Sequence, residues 1–355
     1  MLIRKRVRAL IMALPMIIAG SPATAQIPFA DLSSRSVAEP VPVRAFAGRW
    51  QAPLQPGRQG WTRNRLLLGV ESGALSLAYI QRYDYTLRFS PDTAEVYWRD
   101  RNDQPLAEDR DYDLFLDARH QRSQGLRVGW HLSRSSGFGV DAWVSVLQGM
   151  ALQAGQLQGS LFADGDRYSG QASVDYRYSR DLLFDHQAPA PEGLGAALDV
   201  RVYWRGERLF LAVEMQDAWS HMAWRDAPFT RGGINSEGRQ DDGFSLQPLF
   251  SGARGVSGFD QSMPRYMQLE SRWQHGRWQW HLDGEYFLDR WYLRPGVSVT
   301  QGGIKGYVGY EARMAQWVMG LSDTRGRITL QLGADDAAVH RAHSLTLQLQ
   351  TRLSF

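Results

Sequence analysis

The chain has 355 residues, no cysteine, and a formal net charge of +3 from 40 basic and 37 acidic side chains. Without cysteine it has neither a disulfide framework nor a thiol for a lipid anchor. Four basic residues, Arg4, Lys5, Arg6 and Arg8, lie at the N-terminus, and without them the formal charge becomes −1. The remaining chain therefore lacks the basic excess typical of nucleic-acid-binding proteins, and no nucleic-acid partner is expected.

The N-terminus has the parts of a secretory signal peptide. The basic residues are followed by the apolar run 9–20 and by Ala23-Thr24-Ala25, which fits a small-x-small cleavage site. The apolar run is shorter than the ~20 residues that a membrane-spanning helix needs. Residues 1–25 are therefore predicted to be a signal peptide. The next segment, 26–42, contains three prolines and is predicted to be an irregular periplasmic extension.

Apolar and polar side chains alternate with a period of two from about Arg65 to the end of the chain. In the last segment, Leu345–Phe355, leucines and the terminal phenylalanine share one face, while threonine, glutamine, arginine and serine share the other. Successive side chains of a strand point to opposite faces, so this pattern predicts strands with one apolar surface. The predicted strands are 43–51, 65–72, 75–89, 94–100, 110–120, 126–133, 138–146, 155–163, 168–178, 196–204, 208–217, 265–273, 277–286, 292–299, 304–312, 315–322, 326–333 and 344–355.

The links between these strands favour a membrane barrel over a secreted β-sandwich, which would also alternate. When strands are counted backward from Phe355, the short links fall on one side and the long links on the other. Outer-membrane barrels have short periplasmic turns and longer external loops. The predicted fold is all-β: a transmembrane antiparallel up-and-down β-barrel of 16–18 strands that spans residues 43–355.

The C-terminal strand carries a resemblance to a known class. Leu347, Leu349 and Leu353, followed by the terminal Phe355, match the alternating pattern with a final aromatic residue. This segment resembles the β-signal of Gram-negative, porin-like outer-membrane β-barrel proteins. The resemblance implies that these residues are recognised by the barrel-assembly machinery. It also implies an outer-membrane location in contact with lipid and lipopolysaccharide.

Charged residues on the polar faces of the strands are predicted to line the lumen. A barrel of this size is wide enough for an aqueous passage unless something fills it, and opposed charges would select solutes. The alternative is a closed barrel with a salt-bridged interior. The predicted lumen-lining residues are Asp111, Asp113, Asp117, Arg119, Arg127, Asp175, Arg177, Asp199, Arg201, Glu270, Arg272, Asp283, Glu285, Arg327 and Arg352.

Two other features could modify this interpretation. The glycine-rich segment 229–265 is either a constriction loop that folds into the lumen or an external loop. The residues to weigh for catalysis are His131 with Ser133, and His281 with Asp283 and Glu285, although no G-x-S-x-G or H-E-x-x-H motif is present. Lumen lining is the favoured interpretation of these residues, so neither an enzyme nor a metal or other cofactor is expected.

The sequence therefore predicts an outer-membrane channel that passes polar solutes or an exported polymer, such as an exopolysaccharide, through a charged lumen. The alternative is a non-conducting barrel that serves as assembly partner, receptor or adhesin. Other envelope or secretion components are the partners that fit either function.

Overall fold

The computed structural model describes residues 26–46, 48, 50–133, 136–164, 167–181, 189–235 and 249–353. Within them, no helix is long and apolar enough to cross a membrane. The helices are α1 (Val43–Phe46) and α2 (Pro91–Arg101), with a 3-10 turn at Val339–Arg341. The strands are β1 (Ile27–Ala38), β2 (Gln59–Ser72), β3 (Leu75–Phe89), β4 (Arg110–Ser133), β5 (Phe138–Asp164), β6 (Arg167–Tyr178), β7 (Glu192–Arg205), β8 (Leu209–Asn235), β9 (Leu249–Gln261), β10 (Tyr266–His275), β11 (Trp278–Phe287), β12 (Arg290–Gln301), β13 (Ile304–Glu311), β14 (Gln316–Asp323), β15 (Ile328–Ala334) and β16 (Ser344–Arg352).

Fourteen of these strands form a closed antiparallel ring. The order is β1 to β5, then β7, β8 and β10 to β16, and β16 pairs with β1 to close it. Closure leaves no strand edge to face lipid, where unpaired backbone N–H and C=O groups are costly. The predicted all-β up-and-down barrel is confirmed, but its ring has fourteen strands instead of the predicted 16–18, because some predicted strands merge into one and others lie outside the ring. The other two described strands, β6 and β9, extend the sheet outside it.

The N-terminal segment 26–42 is not the irregular extension expected from its prolines. Ile27–Ala38 is a strand that pairs with β2 on one side and with β16 on the other, so the barrel begins well before residue 43. Pro28 lies at the start of the strand, where a missing N–H is tolerated. The predicted strand 43–51 instead begins with α1 in the loop between β1 and β2.

The predicted strand 94–100 is also wrong, because this segment forms most of α2. Ser90 caps the helix by accepting a hydrogen bond from the Thr93 N–H, and Pro91 occupies the first turn. Both residues are favoured there, because serine satisfies a free N–H and proline needs none. The helix packs against β4, and its Ala94 and Trp98 lie in one apolar cluster with Phe89 of β3.

Three strands are far longer than the 9–11 residues that cross a bilayer. β4 has 24 residues, and β5 and β8 have 27 each. Beyond the ring, β4, β5 and β8 continue and pair with β6 and β9. Together they form a five-stranded sheet that we call the external extension. The predicted strands 110–120 and 126–133 are therefore one strand, as are 138–146 and 155–163. The segment 229–265 contributes a hairpin of β8 and β9 to this extension, and residues 236–248 lie outside the described chain.

The orientation of the barrel in the membrane follows from the positions of the two chain ends of the ring and of the short turns. Both ends of the ring, Ile27 and Arg352, lie on the side that carries the short turns, including those at Gly73, Gly276 and Gly302. That side is periplasmic, and the long loops and the external extension are extracellular. Apolar side chains are exposed around the wall, and tryptophans lie near both rims, as expected at membrane interfaces. The exposed tryptophans include Trp204, Trp273 and Trp278 near the periplasmic turns, and Trp219, Trp291 and Trp317 toward the outside. The protein is a bacterial outer-membrane β-barrel.

Candidate functional site in the barrel lumen

The lumen is built around Asp217, which sits in a bulge of β8. The pairing of β7 with β8 shifts between Leu198 and Val200, and Asp217 there has a left-handed φ of 54°. Such a backbone is strained for a residue other than glycine and persists only where its surroundings hold it. The bulge turns the carboxylate inward, and the Asp217 N–H donates to Asp199 at 2.7 Å.

Three arginines from β2 and β3 converge on Asp217. Arg82 donates to both of its carboxylate oxygens at 2.8 Å, and Arg63 and Arg65 reach the same carboxylate at 2.8 and 3.0 Å. These arginines lie on strands five and four places around the ring from β8, so the ion pairs cross the lumen. A bidentate Arg–carboxylate contact is among the strongest charge-assisted hydrogen bonds in proteins.

Further ion pairs extend the cluster to three more side chains. Arg127 contacts Asp199 at 2.6 Å, Arg65 contacts the same carboxylate at 3.2 Å, and Asp84 pairs with Arg63 and Arg82. Each of the seven residues is 7% exposed or less, so these charged groups are shielded from bulk water. We call this set the transluminal network: Arg63, Arg65, Arg82, Asp84, Arg127, Asp199 and Asp217.

An aromatic cluster fills the lumen beside the network. Trp61 of β2 packs edge-on against Tyr266, Phe287 and Tyr292, with ring centres 5.0–6.4 Å apart, and its indole N–H donates to the Tyr292 hydroxyl. The Arg63 guanidinium lies 4.5 Å from the centre of the Tyr266 ring. The network has four guanidinium groups and only three carboxylates, so this cation–π contact helps to stabilise its extra positive charge.

A large apolar side chain, Trp224, packs inside the ring on the side formed by β5, β7 and β8. Trp224 of β8 lies over Gly149 of β5 and Gly193 of β7, where a Cβ would come within 2.4 and 2.7 Å of its ring. Ile80, Leu147, Leu152 and Met222 pack around it. Charged, aromatic and apolar side chains from several strands therefore pack together inside the ring.

We expect Gly193→Val to destabilise the barrel, because the new side chain would collide with the Trp224 ring. Overpacking of this kind costs about 1–3 kcal/mol. The measurement is the urea midpoint of unfolding in detergent micelles. Gly306→Ala is the control, since a Cβ at Gly306 meets nothing within 4 Å. Equal midpoints for the two variants would contradict the packing described here.

A second buried cluster surrounds Arg35 of β1. Its guanidinium contacts Glu285 at 3.2 Å and Glu311 at 3.5 Å, and it donates to Gln316 at 2.5 Å. The residue is 6% exposed. Because these partners come from β11, β13 and β14, the cluster fills the lumen on the side of the ring away from Asp217.

Toward the periplasm the charged side chains of the lumen are partly exposed, and we call the space between them the periplasmic vestibule. Arg201 and Arg272 both pair with Glu270, the first at 2.7 Å. Asp283 accepts from the Tyr307 hydroxyl at 3.2 Å and pairs with Arg294 at 3.5 Å. Unlike the network above it, this space carries charges that water can reach, since the Arg201 and Glu270 side chains are 29% and 21% exposed.

Eleven of the fifteen predicted lumen-lining residues lie in four places: the buried clusters, the vestibule and the two rims of the barrel. Arg127, Asp199 and Glu285 belong to the buried clusters. The vestibule holds Arg201, Glu270, Arg272 and Asp283, while Arg327 and Arg352 pair with Asp323 and Glu71 at the periplasmic rim. Asp117 pairs with Arg119 near the extracellular rim.

Four predicted residues do not line the lumen. Asp111 and Asp113 lie on the outer half of β4, and Asp175 and Arg177 pair with each other on β6 in the external extension. The prediction failed because the polar face of a strand continues to alternate after the strand leaves the membrane. Leu347, Leu349 and Leu353 are within the described chain, whereas Phe355 lies outside it.

Most residues of the transluminal network are not among the predicted lumen-lining residues. Arg63 lies before the predicted strand 65–72, and Arg65 is the first residue of that strand, whereas β2 begins at Gln59. Arg82 and Asp84 fall within the predicted strand 75–89, where they alternate with tyrosines, and this signal was available. The sequence contains no such signal for Asp217. The Ala212 side chain points into the lumen, so regular alternation along β8 would point the Asp217 side chain outward. The bulge in β8 reverses that direction.

Comparisons with known proteins give structural similarity alone. No protein-family model matches the sequence, and no curated protein matches it. A variant of the TodX monoaromatic hydrocarbon channel matches with a TM-score of 0.49 and 11% identity, over 95% of this chain and 92% of that one. A Pseudomonas aeruginosa FadL homologue gives 0.40 and 9% over 92% and 88%, and the translocator domain of the autotransporter NalP from Neisseria meningitidis gives 0.30 and 9% over 100% and 95%.

Proposed function

We propose that the protein is a gated outer-membrane channel for polar solutes or an exported polymer such as an exopolysaccharide, with the transluminal network as its gate. The observation that carries the proposal is the set of ion pairs from Asp217 across the lumen to Arg63, Arg65 and Arg82. They close the lumen above a charged vestibule that is open to water. Opening requires these side chains to move apart while the β-ring stays intact.

A charged closure is suited to reversible opening. Apolar side chains of similar volume would fill a permanently closed barrel equally well or better, because a buried ion pair gains little over them. When a charged closure opens, each ion regains its hydration. Arg63 Nη1, Arg65 Nε and Gln121 Oε1 are buried without hydrogen-bond partners among the described residues. Each such atom costs about 1–3 kcal/mol in the closed state, which reduces the cost of opening.

The second candidate is a non-conducting barrel that acts as a receptor, adhesin or assembly partner. It is favoured by the packing of Trp61 and Trp224, which fill the lumen with side chains that cannot gain from hydration. In that case the network would be a permanent part of a filled interior.

Liposome swelling with sugars of increasing size separates the two functions. We expect slow swelling with the native protein and faster swelling with the double variant Arg82→Ala/Asp217→Ala, first for the smallest sugars. The control is Asp175→Ala, which removes a carboxylate paired with Arg177 and Arg231 in the external extension, outside the lumen. Swelling that stays at the protein-free rate for a folded double variant would refute the channel and favour the filled barrel.

A further inference from the structure

Ser76, His131 and Asp141 meet at the periplasmic end of the lumen in a serine–histidine–aspartate arrangement. The Ser76 Oγ is 3.3 Å from His131 Nε2, and His131 Nδ1 is 3.1 Å from an Asp141 carboxylate oxygen. A hydroxyl near a base, with the base oriented by a third group, is the geometry that activates a serine nucleophile. Such distances are often somewhat long before substrate binds.

The strand register holds the three residues together. They come from the neighbouring strands β3, β4 and β5, where His131 is directly opposite Asp141 and Ser76 is opposite Gly129. A Cβ on Gly129 would come within 2.3 Å of the Ser76 Oγ, so the absence of a side chain there makes room for the hydroxyl. Ser76 and Asp141 are buried, while the His131 side chain is 29% exposed, and Asp141 is directly opposite Arg201 of the vestibule.

Trp143 supplies a hydrogen-bond donor next to the serine. The same Cβ position on Gly129 lies 2.6 Å from Trp143 Nε1, so this N–H is within about 5 Å of the Ser76 Oγ. It has no acceptor among the described residues. The Arg127 guanidinium lies 4.9 Å from the centre of the Trp143 ring and adds positive charge to this corner. Donors and positive charge near the reacting atom stabilise the oxyanion of acyl transfer.

We propose that Ser76, His131 and Asp141 form a hydrolytic site for small carboxylic esters that enter from the periplasmic vestibule. The Ser76 Oγ attacks the ester carbonyl carbon, and its proton passes to His131 Nε2. The tetrahedral oxyanion, facing Trp143 Nε1, collapses and expels the alcohol, which takes the proton from His131.

Water completes the cycle. It gives a proton to His131 and attacks the acyl group on Ser76. The acid is then released as the proton returns to the Ser76 oxygen. Asp141 holds the imidazole in the required orientation and stabilises its charged form.

The vestibule also contains a serine–histidine pair, Ser298 with His281, that lacks the carboxylate. His281 Nε2 lies 2.8 Å from the Ser298 Oγ, but no carboxylate contacts the other imidazole nitrogen among the described residues. The proposal therefore predicts that Ser76 is reactive and that Ser298 is not, although Ser298 is closer to its histidine.

A fluorophosphonate reagent tests this with the full chain in detergent. Its phosphorus bonds to an activated serine oxygen with loss of fluoride, and peptide mass spectrometry locates the adduct. We expect labelling at Ser76, none in Ser76→Ala, and a labelling rate at least about 100-fold lower in His131→Ala, the smallest effect typical of losing a general base. Asp141→Asn should also slow labelling, and Ser298→Ala should leave it unchanged. Hydrolysis of p-nitrophenyl acetate should follow the same order.

The proposal is overturned if Ser76 is unlabelled in the native protein, or if His131→Ala and Asp141→Asn label at the native rate. Heat-dependent migration on gels establishes whether each variant is folded. If His131→Ala does not fold, the near-isosteric variant Asp141→Asn provides a second test. Conductance of the same samples is an independent readout, so loss of ester hydrolysis leaves the channel proposal standing.

Discussion

Asp217→Ala is expected to convert the closed barrel into a conducting one. The substitution removes the carboxylate that holds Arg63, Arg65 and Arg82 together, and the three guanidinium groups then repel one another in a buried space. Breaking a buried ion pair by removing one partner costs about 3–5 kcal/mol. Water that enters the lumen recovers much of that cost by hydrating the arginines, so the open state gains relative to the closed state.

The expected size of the change follows from this cost. A shift of about 3 kcal/mol changes an open-to-closed ratio by a factor on the order of 100. Planar-bilayer recordings should therefore show rare openings of the native protein and sustained openings of the variant. Asp175→Ala, in the external extension, should behave like the native protein. Equal open times for a folded Asp217→Ala and the native protein would refute the network as a gate.

Trp61→Ala is expected to cause the largest loss of stability in the lumen. Trp61 is 1% exposed and contacts three aromatic rings from β10, β11 and β12. Truncating a buried tryptophan to alanine typically costs about 3–5 kcal/mol, and here it also leaves the Tyr292 hydroxyl without its indole donor. The measurement is the free energy of unfolding in urea, followed by tryptophan fluorescence in detergent micelles.

Trp280→Ala is the matched control for this prediction. Trp280 is 54% exposed on the lipid-facing wall, so its removal leaves the interior packing unchanged. We expect a smaller loss than for Trp61→Ala. If both variants lost the same free energy, the aromatic cluster would not be the core of the lumen that its contacts indicate.

The period-two alternation carried the fold prediction, because in a barrel wall one face of every strand contacts lipid and the other does not. That signal is strong in β10, β11 and β16, where the predicted strands match the structure closely. It is weak in β1, where small and polar residues such as Ser34 and Ser36 occupy the outer face. Ring closure, a property of the whole sheet, makes that segment a strand.

The local signals of α2 show a different kind of failure. Ser90, Pro91 and Asp92 form a helix start that capping preferences predict, yet the following residues were assigned to a strand. The prediction of the residues that line the lumen fails for a third reason. Strand alternation tells which residues point inward, but it gives neither the height of a residue in the barrel nor a bulge such as that at Asp217. The pairs across the lumen, including Arg82 with Asp217, therefore became visible only in the folded chain.

The most direct test of the account is the accessibility of a single cysteine at the level of the network. The chain has no cysteine, so Ser123→Cys introduces its only thiol, at a buried lumen position opposite Arg82. A gate closed by the network predicts slow reaction with a charged thiol reagent in the otherwise native protein, and fast reaction when Asp217→Ala is added. The exposed external position Ser251→Cys should react fast in both backgrounds. Fast reaction of Ser123→Cys in the otherwise native protein, or slow reaction in both backgrounds, would contradict a lumen gated by this network.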